Sequence, residues 1–146
     1  MADLIEVLLV EDNPGDARLA KEALRESKLH LNLTIAKDGV EALDVLNKRG
    51  DFASARTPDL ILLDLNLPRK NGREVLADIK GAPILKRIPV VVLTSSKAEQ
   101  DILASYDLHA NCYIQKPLDL DKFIDIVQQI ELFWFSIVTL PAEERS

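Results

Sequence analysis

Apolar positions along this chain come in short unbroken runs, each followed by a stretch whose apolar residues recur at helical spacing. Residues 60–63 read Leu-Ile-Leu-Leu without a polar interruption, and such a run suits a parallel strand covered on both faces. Similar runs at 5–10, 33–36, 90–94 and 112–114 give five strands in all. Five helical patterns alternate with them, the first from residue 13 and reaching Leu24, the others over 39–47, 72–80, 97–106 and 120–135. The first opens on Asn13-Pro14, a cap residue followed by a proline at the first helical position. It then sets Ala17, Ala20 and Leu24, with Leu19 and Ala23, along one side. Gly72 falls at the turn before the third helix, where a positive φ is expected. The polar stretch 48–58 reads as a surface loop.

Strict alternation of strand and helix with short connections predicts an α/β fold, a doubly wound parallel sheet with helices on both faces. The expected strand order is 2-1-3-4-5, as in flavodoxin-like sheets. The 146 residues make one domain of ordinary size, with no repeat, linker or second domain; an output domain is not expected. A formal net charge of −6 argues against binding a nucleic-acid backbone, which calls for clustered Lys and Arg. Cys112 stands alone, so no internal disulfide forms, and it joins two separated histidines in no zinc-binding spacing. No segment has the roughly 18 apolar residues of a membrane span, and a soluble protein of a reducing cytoplasm is expected.

The strand ends carry the chemistry. The first strand runs into Glu11-Asp12, the third into Asp64, the fourth ends at Thr94-Ser95, and the fifth is followed by Lys116-Pro117. In the expected order these four strands are neighbours, and ligands of open α/β sheets bind at their carboxyl ends. Three carboxylates at one rim would repel one another without a cation. They are oxygen ligands suited to magnesium, which takes one or two carboxylates, waters and a phosphate oxygen. Asn66 could add its backbone carbonyl. Beside such an ion Asp64 can act as nucleophile toward a phosphoryl group, with Lys116 neutralising its oxygens and Thr94 offering a hydroxyl donor. Taken singly, each residue has a plainer reading: Glu11-Asp12 a helix approach, Thr94 a strand-end hydroxyl, Tyr113 half-buried strand surface.

The order Glu11-Asp12, Asp64, Thr94, Lys116-Pro117 resembles the receiver domain of two-component response regulators, over nearly the whole chain. The resemblance implies that Asp64 is the phosphoacceptor and that Glu11 and Asp12 hold the metal. It further implies Thr94 as the switch hydroxyl, Tyr113 as the switch aromatic and Lys116 as the phosphate-contacting lysine. The phrases "LDLNLPRKNGREVL", "RIPVVVLTSS", "ANCYIQKPLDL" and "IELFWFSIVTLP" are similar to the small regulators paired with cyanobacterial phytochromes. That similarity implies a phytochrome histidine kinase as phosphodonor. The chain is then a phosphoacceptor, not a turnover enzyme, with a changed interaction surface as output. A phosphate shuttle or sink in a relay is the alternative. A haloacid-dehalogenase-type phosphatase fits less well, because Asn66 stands where those enzymes place a proton-donating Asp.

The end of the chain raises a separate question. Leu120, Phe123, Ile124, Val127, Ile130 and Trp134 form one helical stripe, enough to dock the fifth helix on the sheet. Ile126, Phe133 and Ile137 extend the apolar arc beyond the roughly 100° that a core-facing stripe requires. Either the extension over about 131–141 folds back into the monomer, or it forms a partner surface. The expectation is a homodimer through the fourth and fifth helix face, with Ile126, Phe133, Trp134, Phe135 and Ile137 at the interface.

Overall fold

The computed structural model describes residues 5–25, 31–94, 97–105, 108, 112–115 and 128. Five strands, β1 (Ile5–Val10), β2 (Leu31–Ala36), β3 (Leu60–Asp64), β4 (Val90–Thr94) and β5 (Cys112–Gln115), alternate with α1 (Pro14–Arg25), α2 (Gly39–Leu46), α3 (Gly72–Gly81) and α4 (Lys97–Ser105). Every strand pairing is parallel and the order is β2-β1-β3-β4-β5. The expected fifth helix apart from the helical Gln128, the apolar extension after it and all five expected interface residues lie outside the described residues. So do Ser95, Lys116 and Pro117.

Strand alternation divides the core in two. Leu8 and Val10, Ile61 and Leu63, and Val90 and Val92 point to one side and pack with α2, α3 and Leu103 of α4. Val7 and Leu9, Leu60 and Leu62, and Val91 and Leu93 point to the other, against Ala20 and Leu24 of α1. The sheet is thus covered on both sides, as an uninterrupted apolar strand requires. Ala20 and Leu24 are the buried members of the expected α1 stripe, with Ala17 packed beside them.

Several boundaries differ from the sequence reading by a residue or two, β5 for one running to Gln115, and two of the shifts have evident reasons. β2 starts at Leu31 because Leu31 and Asn32 already pair with Ile5 and Glu6, and the Asn32 side-chain amide donates to Glu6 Oε2 at 2.7 Å. β3 takes in Asp64, whose backbone pairs with Leu93. The polar loop after α2 also holds more structure than expected. It contains a 3-10 turn at Gly50–Phe52, and Phe52 and Ala55 pack against the core. Among the described residues, no helix is long and apolar enough to cross a membrane.

Candidate functional site

Register assembles the acidic cluster. Val10 of β1 stands opposite Leu63 of β3, so one residue further Glu11 comes level with Asp64. The Glu11 N–H donates to the Ala36 carbonyl at 3.0 Å, which carries the sheet ladder one step past the end of β1. Glu11 and Asp64 are buried, 2% and 1% exposed, while Asp12 is exposed at the rim. Carboxylate oxygens of Glu11, Asp12 and Asp64 all lie within 4.8 Å of one another. Three hard oxygen donors so close, two of them withdrawn from water, fit a divalent hard cation, which would offset a repulsion that burial makes costly.

Asp64 is held where it stands. The Asn66 N–H donates to its Oδ1 at 3.0 Å, an Asx-type turn that fixes the rotation of the carboxylate. Leu65 N–H reaches the Leu93 carbonyl at 3.2 Å, and Gly72 N–H reaches the Leu65 carbonyl at 3.1 Å. Gly72 does its work differently from the expectation. It opens α3 without a positive φ, and a Cβ there would strike the Asp64 carbonyl oxygen and the Leu65 Cα. A glycine lets the helix start against the strand end. Asn71 caps that start reciprocally with Glu74: the Glu74 N–H donates to Asn71 Oδ1 at 2.9 Å and the Asn71 N–H to Glu74 Oε1 at 3.3 Å.

The same loop is tied to α2, which sequence reasoning missed. Arg69 has φ 64° and brings its guanidinium within 3.4 Å of Asp38 Oδ2, while Asp38 Oδ1 accepts from the Glu41 N–H at the start of α2. The next residue, Gly39, lies so close to the Lys70 backbone that a Cβ would overlap it. The readable signals were Asn71-x-x-Glu74 and Asp38-x-x-Glu41, both helix-start patterns. The pairing of the two starts joins residues about 30 positions apart and leaves no periodic trace.

Thr94 ends β4 fully buried, and among the described residues its hydroxyl has no hydrogen-bond partner. Thr94 pairs with Gln115 and Val92 with Tyr113, so alternation sets Thr94 and Tyr113 diagonally across β4 and β5 on the same face. Tyr113 packs half-buried against the core that contains Leu103 of α4. Asn66 is exposed and, with Leu65, Asn71, Arg73, Glu99 and Leu103, lines a cavity of about 220 Å³ beside Asp64.

The family model described as response regulator receiver domain matches residues 7–128. Response regulator Rcp1 of Synechocystis sp. is 53% identical over 136 residues, covering 93% of this chain and 92% of that protein. Among solved structures, the phosphorylated cyanobacterial phytochrome response regulator RcpA is similar with a TM-score of 0.81 at 54% identity, covering 92% of this chain and 96% of that one. The Mn(2+)-bound form of Rcp1 gives a TM-score of 0.79 at 50% identity, with 91% and 96% covered. These matches leave no place for the haloacid dehalogenase alternative. With its family, sheet order and acidic strand mouth in agreement, the chain belongs to the response regulator receiver domains, phosphoacceptors of two-component signalling and not turnover enzymes.

Proposed function

We propose that Asp64 takes a phosphoryl group from the phosphohistidine of a sensor histidine kinase, and that the kinase is a phytochrome. The phytochrome pairing rests on the likeness to RcpA. The Asp64 carboxylate oxygen attacks phosphorus. An O–P bond forms as the N–P bond breaks, and the histidine nitrogen leaves with the electron pair. Glu11, Asp12 and Asp64, with the Asn66 carbonyl, would hold a magnesium ion; the likeness to the Mn(2+)-bound form of Rcp1 supports a divalent metal there. When bound, that ion supplies positive charge against the carboxylates and the phosphoryl oxygens.

The residues of the chain do the rest. The Asn66 N–H orients the nucleophile, and Lys116 balances charge on the phosphoryl oxygens. Thr94 donates a hydrogen bond from its hydroxyl to the newly arrived oxygens, which bring about two negative charges. Its movement opens space for Tyr113 to turn inward, biasing a two-state equilibrium of the surface around α4. Output is a changed interaction surface in the cytoplasm. A homodimer through the fourth and fifth helix face, using Ile126, Phe133, Trp134, Phe135 and Ile137, is the form of that output favoured by the apolar end of the chain.

The observation that carries the proposal is the convergence of the Glu11 and Asp12 carboxylates on a buried, oriented Asp64. Acetyl phosphate with magnesium should add one acid-stable, hydroxylamine-labile phosphoryl group to the parent and none to Asp64→Asn. Equal labelling of the two would overturn the assignment.

A further inference from the structure

We propose that the edge of β2, together with the overhanging side of α1, receives an extended acidic segment of a partner protein as an added strand. Two independent features meet there. β2 is the outer strand of the sheet, pairing with β1 on one side and with no strand among the described residues on the other. It is six residues long and reads Leu-Asn-Leu-Thr-Ile-Ala, without the charge, proline or bulge that ordinarily protects an edge from pairing. Leu31, Leu33 and Ile35 remain only half-buried.

The second feature is charge. Arg18, Lys21 and Arg25 follow one another at i, i+3 and i+7 along α1, all exposed, on the side that looks across Ile35. With Ala17 and Ile35 they line a cavity of about 410 Å³ between the helix and the sheet edge. One carboxylate, Glu22, shares this lining and lies 3.4 Å from Arg18, so cations outnumber acids three to one in a chain of net charge −6. A strand added to β2 would run beneath these side chains. Its backbone would complete the ladder, while alternate residues would face the basic groove and Ile35. Acidic residues at those positions would meet the cations, and β-branched residues between them would favour the extended backbone. This surface lies on β2 and α1, apart from the β4–β5 face invoked for the phosphorylation response, and its readout does not depend on Asp64.

The test uses the full chain and a pool of end-blocked ten-residue peptides alternating Glu or Asp with Val, Ile or Thr. At millimolar concentration and low salt the pool should slow hydrogen exchange of the outward β2 amides several-fold, and raised salt should reverse this. The reversed-charge pool, with Lys in place of the acids, should not. Lys21→Glu with Arg25→Glu should abolish the protection while leaving phosphoryl labelling of Asp64 at the parent level. Absence of β2 protection, equal protection by the Lys pool, or α1 shifts without β2 protection would each overturn the proposal. Self-association of the chain through β2 without peptide would assign the edge to a second copy and overturn it too.

Discussion

Two exits from the same sheet, β3 into α3 and β4 into α4, are built in opposite ways. The first is braced from every side. Asp64 accepts from the Asn66 N–H, Gly72 presses against the Asp64 backbone, Asn71 and Glu74 cap each other, and Arg69 ties the loop to Asp38. The second ends on a hydroxyl that is buried yet has no hydrogen-bond partner among the described residues. A buried polar group left in that state costs free energy, so it is informative when a fold retains one. On the proposed function the contrast would divide the labour: one exit would hold the nucleophile still, and the other would keep an interaction in reserve for a charge that arrives later.

The braced exit should be the more fragile to small additions. Gly72→Ala forces a Cβ into backbone atoms that cannot rotate away, so we expect a loss of about 3 kcal/mol in stability by denaturant titration. Phosphoryl labelling should fall as well, because α3 must retreat from Asp64. A variant as stable as the parent would mean that the contact at the strand end is slack. Magnesium should act on the same exit with the opposite sign. At about 100 times its dissociation constant it should stabilise the parent by about 2.7 kcal/mol, visible as a higher Tm. Asp12→Asn, at the exposed rim, should reduce that gain without lowering stability in the presence of a chelator.

The other exit should respond in reverse. Thr94→Val keeps the shape and removes a hydroxyl that has no partner among the described residues, so it should stabilise the unphosphorylated protein by about 1 kcal/mol. It should still accept phosphoryl but lose the phosphorylation-dependent change, read as assembly by sedimentation. A destabilised variant would show that the hydroxyl already has a partner, and the contrast between the exits would fail.

How much of this was legible follows from the range of each interaction. β1 and β4 stand at the expected positions because the first run stops at Glu11-Asp12, and the second opens after Pro89 and stops at Thr94-Ser95. The sheet order and the meeting of Glu11, Asp12 and Asp64 were readable because strand ends in this topology are neighbours by construction. The 3-10 turns at Gly50–Phe52 and Leu85–Arg87 were not, since three residues establish no period. Gly72 stands out in the sequence, but its local pattern suggests a positive φ that the structure does not have. What fixes it is a neighbour in space, Asp64, that no local pattern reveals. The Arg69–Asp38 tie and the Gly39–Lys70 contact belong to the same class.

The central claim is that the buried carboxylate at the end of β3 is the phosphoacceptor. Borohydride reduces an aspartyl phosphate to homoserine, so treating the phosphorylated parent and sequencing its peptides by mass spectrometry locates the acceptor directly. Homoserine at position 64, with Glu11 and Asp12 unreduced, is the expected result. Homoserine at position 12, or the one-carbon-longer hydroxynorvaline at position 11, with Asp64 unchanged, would contradict the account.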